Sequence, residues 1–145
     1  LDVLVNPPQF LAIASLAREI PALRIIVNHT GHGPINGETP DANWMAGIKE
    51  MADCENVHLK VSAVMEQSTK QPAPEDDSWY ALALEEMWSA FGQDRLIYGS
   101  NWPVCERAGS FKAALGIVRR FFDKKGPEAR EDYFYRNAER VYRWG

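Results

Sequence analysis

The sequence predicts an α/β fold in which about four strand–helix units build half of a (β/α)8 (TIM) barrel. Two observations carry this prediction. Short apolar runs recur four times along the 145 residues, and each leads into a loop that opens with polar, glycine or proline residues. Amphipathic helical patterns fill the intervals, and strands that alternate with helices are parallel with right-handed crossovers. Residues 1–145 are therefore expected to form a single partial-barrel domain.

Periodicity and capping residues locate the individual elements. We expect strands where β-branched or leucine-rich runs occur, at 1–5, 23–27, 57–61 and 96–98. We expect helices where apolar residues recur with helical spacing, at 8–20, 42–53, 78–90, 110–124 and from 128 to about 143. Asp41 is a suitable N-cap for the second helix, Gly92 ends the third, and Gly126-Pro127 ends the fourth.

The third strand favours a barrel over an open, doubly wound sheet. In residues 57–62 the odd positions are all aliphatic and the even positions, His58, Lys60 and Ser62, are all polar. Because successive side chains of a strand point to opposite faces, the polar set should face a barrel interior. A doubly wound sheet would instead favour a glycine-rich phosphate loop after its first strand, where Asn6-Pro7-Pro8 stands.

Composition excludes several classes of partner. A net charge of −4 argues against nucleic acid, which selects a basic face. No apolar run approaches the roughly 18 residues of a membrane span, so we expect no membrane association. Cys54 and Cys105 form no C-x-x-C pair and are expected to be free, buried thiols in a reducing cytoplasm. The chain begins at Leu1, without Met, directly in a strand, as a fragment would.

Polar residues follow the ends of all four strands. In such barrels the active site lies at the carboxyl ends of the strands, on the loops that follow them. The residues found there are Asn6, then Asn28, His29 and His32, then Lys60 and Ser62, then Ser100, Asn101 and Trp102. We expect His29, Lys60 and the Asn101-Trp102 loop to line one pocket that takes a small-molecule substrate.

His29 is the strongest candidate among these residues. An imidazole at a strand end can bind metal, polarise a carbonyl or move a proton near neutral pH. His32 and His58 can equally be solvated histidines without a direct role. Lys60 could hold a carboxylate or a developing negative charge, or could form an ion pair with an acid on another strand.

With these residues in view, the sequence resembles the amidohydrolase-related branch of the amidohydrolase superfamily. The resemblance is closest to the subgroup of sugar-lactone hydrolases and 2-pyrone-4,6-dicarboxylate lactonase. The stretches that carry it lie at 21–31, 56–62, 91–104 and 137–142. The most specific is 91–104, which contains Tyr98-Gly99-Ser100-Asn101-Trp102-Pro103. Members are full barrels about twice this length, so the resemblance implies the C-terminal half, strands five to eight.

The resemblance also implies a reaction. Members hydrolyse C–O or C–N bonds, or in some relatives decarboxylate, by attack of water on a carbonyl polarised by metal or histidines. His29 matches the histidine of strand six, and Asn101 stands where an aspartate usually takes the proton. Asn28, His32, Lys60 and Trp102 would bind the substrate, a lactone or carboxylated ring.

The same resemblance raises two departures from the family pattern. An amide at Asn101 can orient water, but it cannot accept a proton in the useful pH range. The His-x-His of strand one is absent from this chain, so His29 could join a zinc site only with ligands from the missing half. We therefore expect no certain cofactor and no tightly held zinc in this chain.

Three functional interpretations remain open at this stage. The first two are that the complete protein is a lactonase-like hydrolase, or a non-catalytic relative that binds a small ligand. The third is that the 145-residue chain is itself the folded unit, an inactive half-barrel held by self-association. A half-barrel has free sheet edges and an exposed inner face, on which we expect Ile25, Val27 and Ile97 beside Lys60. We accordingly expect self-association or pairing with the missing N-terminal half.

Overall fold

A computed structural model describes residues 1–143 of the chain as alternating strands and helices. Its strands are β1 (Asp2–Val3), β2 (Ile25–Val27), β3 (Val57–Val61) and β4 (Leu96–Tyr98). Its α-helices are α1 (Phe10–Glu19), α2 (Ala42–Ala52), α3 (Ser78–Phe91), α4 (Phe111–Lys125), α5 (Pro127–Glu131) and α6 (Asn137–Tyr142). Within residues 1–143, no helix has the length and apolar character needed to cross a bilayer.

The four strands form one parallel sheet in the order β1-β2-β3-β4. Each strand therefore pairs with its neighbour in sequence, as the strands of a (β/α)8 barrel do. The predicted alternation of four parallel strands with helices is confirmed. Asp41 caps α2 as expected, because its carboxylate accepts from the backbone N–H groups of Asn43 and Trp44.

The final helix differs from the single helix predicted from 128 to about 143. It begins at Pro127 and is interrupted between α5 and α6 by a π-helical turn, Asp132–Arg136. This wider turn carries Tyr133, which stacks on Phe122 at 3.7 Å between ring centroids and donates its hydroxyl to the carbonyl of Val61 at 2.8 Å. The interruption thus accompanies a buried contact between the C-terminal segment and the end of β3.

The two faces of β3 separate the main core from the opposite side of the sheet. Val57, Leu59 and Val61 are buried against the helices, and we call this side the helix face. His58 and Lys60 lie on the other side, the inner face. The predicted alternation at 57–61 therefore appears in the burial pattern of the strand, which alternates buried and half-buried positions.

The expected composition of the inner face was partly wrong. Ile25 and Val27 pack in the helix-face core, and Ile26 is the β2 residue that shares the inner face with Ile97. The reason is the strand register, which pairs Ile26 with His58 and Ile25 with Val57. Ile26 and Ile97 are also covered, because Val141 of α6 packs on them. The inner face is thus less exposed than a bare half-barrel would be.

Candidate active site

The loops after β2, β3 and β4 meet at one edge of the sheet. Because the strands are parallel, their carboxyl ends lie side by side, and the segments that follow them are neighbours. Gly99 allows the closest of these approaches. A Cβ atom at Gly99 would lie 2.9 Å from the Cβ of Ser62 and 3.0 Å from the Cδ of Lys60. The end of β4 therefore rests directly on the end of β3.

The segment after β2 is a turn of four residues with positive φ. The values are 55° at His29, 53° at Thr30, 61° at Gly31 and 52° at His32. A non-glycine residue in left-handed helical backbone costs about 1–2 kcal/mol. Three such residues within one four-residue turn persist only where surrounding contacts hold them, and this kind of strain concentrates at functional sites.

Contacts from α1 and α2 hold this left-handed turn. Gly31 lies against the ring of Phe10, so close that a Cβ atom there would be 2.5 Å from its Cζ. The indole N–H of Trp44 donates to the carbonyl of Thr30 at 3.3 Å, and the Thr30 hydroxyl donates to the carbonyl of His29 at 2.6 Å. Packing from helices distant in sequence thus fixes the position of His29.

His29 is bound to Ser62, a residue of the neighbouring loop. Its Nδ1 lies 2.8 Å from the Ser62 hydroxyl, and Ser62 is almost fully buried. Burial lowers the pKa of His29, and the nearby charges of His32 and Lys60 lower it further. His29 is therefore neutral at pH 7. With Nδ1 engaged, Nε2 is the ring nitrogen that a substrate could approach.

His32 lies beside His29 with a defined orientation. The two rings meet edge to face with 5.9 Å between their centroids. The Nδ1 of His32 lies 3.0 Å from the carbonyl oxygen of Val5. Because a carbonyl only accepts, the Nδ1 of His32 carries the proton of this hydrogen bond. His29 and His32 therefore lie together at this edge, while His58 lies on the inner face of β3.

Lys60 is held in an ion pair. Its Nζ lies 2.9 Å from a carboxylate oxygen of Asp2, which also accepts from the Tyr142 hydroxyl at 2.8 Å. Burial opposes the charged amine, but hydrogen bonds with Tyr142 and Asp2 outweigh it and raise the pKa of Lys60. The ion pair with Asp2 of β1 corresponds to the second possibility for Lys60, an acid on another strand. A substrate-binding role for Lys60 stays a prediction.

Asn101 is tied to a residue that the sequence analysis did not select. Its Nδ2 donates to a carboxylate oxygen of Glu66 at 2.6 Å, and its own φ is 53°. Glu66 lies in the loop after β3, four residues beyond Ser62, and its position past a strand end was the available signal. Asn28 lies between β2 and the turn, and Trp102 is 66% exposed on its loop.

The histidines do not suffice for a catalytic metal. Catalytic zinc requires three protein ligands, and this edge offers the two imidazoles of His29 and His32. The Nδ1 of each ring is engaged, in His29 by Ser62 and in His32 by the carbonyl of Val5. In the part of the chain that the structure describes, no group of three or more His, Cys, Asp or Glu side chains could hold a metal ion. The residues of this chain do not fit such a metal without further ligands.

Known sequences that match the chain point to one family. The family described as Amidohydrolase matches residues 1–144. A curated relative, L-fucono-1,5-lactonase of Burkholderia ambifaria, is 36% identical over an alignment of 146 residues. The alignment covers 98% of this chain and 49% of the relative. The chain spans about half the length of the curated relatives that it matches.

Solved structures agree with the sequence relatives. An amidohydrolase of Burkholderia multivorans with bound Zn superposes with a TM-score of 0.86 at 26% identity, over 98% of this chain and 51% of that chain. Amidohydrolase 2 of Bifidobacterium longum subsp. infantis superposes with a TM-score of 0.74 at 24% identity, over 98% and 48%, and supports the fold alone. The prediction of the C-terminal half of an amidohydrolase-type barrel is confirmed.

The half-buried His58 predicts a specific pH dependence of folding. Burial, with a smaller contribution from the Arg95 charge, lowers the pKa of His58 from 6.5 to about 4. The unfolded chain then binds a proton that the folded chain refuses, so stability is lost as pH falls from about 6.5 to 4. We expect His58→Gln to flatten this part of the curve of unfolding free energy against pH, measured by urea denaturation.

Histidine NMR titration supplies the control for this prediction. His58 should titrate near pH 4, and His29 should titrate below 6.5 for the reasons given above. Both imidazoles titrating at or above 6.5, with the same stability profile in His58→Gln as in the unmodified chain, would contradict the burial argument.

Proposed function

The chain belongs to the amidohydrolase family, and we propose that it provides half of the active site of a hydrolase acting on a lactone. The observation that carries the proposal is the neutral, half-buried His29, bound to Ser62 in a strained turn at the edge shared with Asn101. The relative named for L-fucono-1,5-lactone makes a sugar lactone the first substrate to test.

The proposed reaction is attack of water on the lactone carbonyl. The Nε2 of His29 would stand next to the carbonyl oxygen and donate a hydrogen bond as negative charge develops there. Asn101 would orient the attacking water through its amide. The ring C–O bond then breaks, and the product is an open-chain hydroxy acid. Asn28, His32, Lys60 and Trp102 are proposed to bind the substrate.

A binding function without catalysis is the second candidate. The observation that favours it is the neutral amide of Asn101, which cannot accept the proton of the attacking water. Such a protein would take the same small molecule, a lactone or carboxylated ring, and release it unchanged. An inactive half-barrel is the limiting case of this alternative.

The proposal also includes a candidate zinc ligand and a cellular compartment. In a complete barrel, His29 is the residue that this chain would contribute to a zinc site, and the remaining ligands would come from outside residues 1–143. Cys54 and Cys105 are free and buried, which supports the proposal of a reducing, cytoplasmic compartment.

We propose that the half-barrel pairs with a complementary half, either a second copy or an N-terminal half. β1 is an edge strand, and unpaired edges invite pairing with another chain. Leu1 and Leu4, at the ends of this strand, are 55% and 64% exposed. Two copies would give a C2 dimer. The β4 side is less available, because Asn137 donates to the carbonyls of Gln93 and Leu96.

Hydrolysis of L-fucono-1,5-lactone tests the proposed activity directly. We expect acid release, followed in a pH-stat, in the complete protein and a loss of about 100-fold or more in kcat for His29→Asn, because a positioned imidazole contributes about 10²–10⁴-fold. His58→Asn, on the inner face of β3, is the matched control. Binding of the lactone without hydrolysis would support the binding function instead.

Size-exclusion chromatography with light scattering tests the proposed pairing. We expect residues 1–145 to show a mass above the 16.4 kDa of one chain. If they do not, we expect the mass to rise above 16.4 kDa when a complementary half is added. Leu4→Glu should weaken the association, because it places a charge beside the exposed edge, and Leu82→Glu on α3 is the control. A cooperatively folded species that stays at 16.4 kDa under all conditions would contradict the pairing.

A further inference from the structure

The contact between Asn101 and Glu66 has an orientation that chemistry fixes. A carboxylate only accepts hydrogen bonds, so the atom that Asn101 presents to Glu66 at 2.6 Å must be its NH2 group. The amide oxygen of Asn101 is therefore turned away from Glu66. Because one partner is charged, this hydrogen bond is stronger than a neutral one.

The second oxygen of Glu66 is in a different situation. Glu66 Oε2 is buried, and within residues 1–143 it has no hydrogen-bond partner. A buried polar atom without a partner is costly, so an unpaired carboxylate oxygen indicates a partner from outside the protein chain. The O–H group of a water molecule is the smallest donor that could supply this hydrogen bond.

A small cavity of about 10 Å³ adjoins Glu66. The ends of β3 and β4 line it, with Ser62 and Ser100 among their residues, and α4 closes it with Ala114, Leu115 and Val118. A cavity of about this volume is the least that holds one water molecule. Ser62 is also the residue bound to His29 at 2.8 Å, so it contacts both this cavity and the candidate imidazole.

From this geometry we propose that Glu66 is the proton acceptor of the site, and the proposal rests on the lactonase function proposed above. Water attacks the lactone carbonyl carbon while its proton passes to Glu66 Oε2. The tetrahedral adduct collapses, the ring C–O bond breaks, and the leaving alkoxide takes the proton back from Glu66. One lactone and one water give one hydroxy acid, and Glu66 returns to its carboxylate form.

The same geometry explains the amide at position 101. Two carboxylates 2.6 Å apart cannot both ionise, so an acid at position 101 would force one of the pair to hold a proton. Asn101 instead donates to Glu66 and leaves a single negative charge on it. The Asn101–Glu66 pair therefore places one proton acceptor at the edge, on the loop after β3.

Exchanging the amide and the acid tests the proposal. We would compare the complete protein with Glu66→Gln, Asn101→Asp and the double variant, measuring kcat and KM for L-fucono-1,5-lactone and the thermal midpoint of unfolding. We expect Glu66→Gln to lower kcat by about 100-fold or more with KM within about threefold. We expect Asn101→Asp not to raise kcat. In the double variant the amide at position 66 can donate to the acid at position 101, which reverses the hydrogen bond. We therefore expect its thermal midpoint to recover, while its kcat stays low.

The outcomes separate this proposal from the proposed function. Unmodified protein that hydrolyses the lactone while Glu66→Gln stays within about threefold of its kcat contradicts the role of Glu66 alone. A double variant with kcat at or above that of the unmodified protein would place the acceptor at position 101 and overturn the proposal as well. No hydrolysis of any lactone by the unmodified protein contradicts both the function and the role of Glu66.

Discussion

The two-residue period of β3 is the constraint on which both the core and the candidate site depend. Val57, Leu59 and Val61 pack in the helix-face core, and this fixes the opposite direction for His58 and Lys60. A shift of register by one residue would exchange the two sets and bury a lysine among aliphatic side chains. Ser62 follows directly, which places its hydroxyl within reach of His29 on the adjacent loop.

Sequence reasoning succeeded where the signal is local. Strand positions, the parallel order, the Asp41 cap and the concentration of polar residues at the strand ends all follow from short-range patterns. The inner face was partly misjudged because Ile25-Ile26-Val27 is apolar at every position and carries no alternation to read. The partner strand decides the matter, since Ile26 pairs with His58 only in the folded register.

The details of the site depend on contacts between distant residues, and no local pattern encodes them. The left-handed turn at 29–32 is held by Phe10 and Trp44, which lie on different helices. Glu66 meets Asn101 across 35 residues of sequence. The place of Asn101 after the fourth strand selected it, and the family resemblance supplied its expected role. The carboxylate beside it depends on the folded approach of the loops after β3 and β4. Lys60, conspicuous in the strand pattern, is engaged by Asp2.

We propose that one ligand site lies at the carboxyl edge of the sheet. The most direct measurement is the change of backbone amide NMR shifts when a 1,5-lactam analogue of the sugar lactone, which resists hydrolysis, is added to the protein. We expect the largest shift changes in the turn 29–32 and around Ser62, Glu66 and Asn101. Changes concentrated at the opposite edge, around Arg24 and Arg95, which directly precede β2 and β4, or no change at saturating analogue, would contradict this expectation.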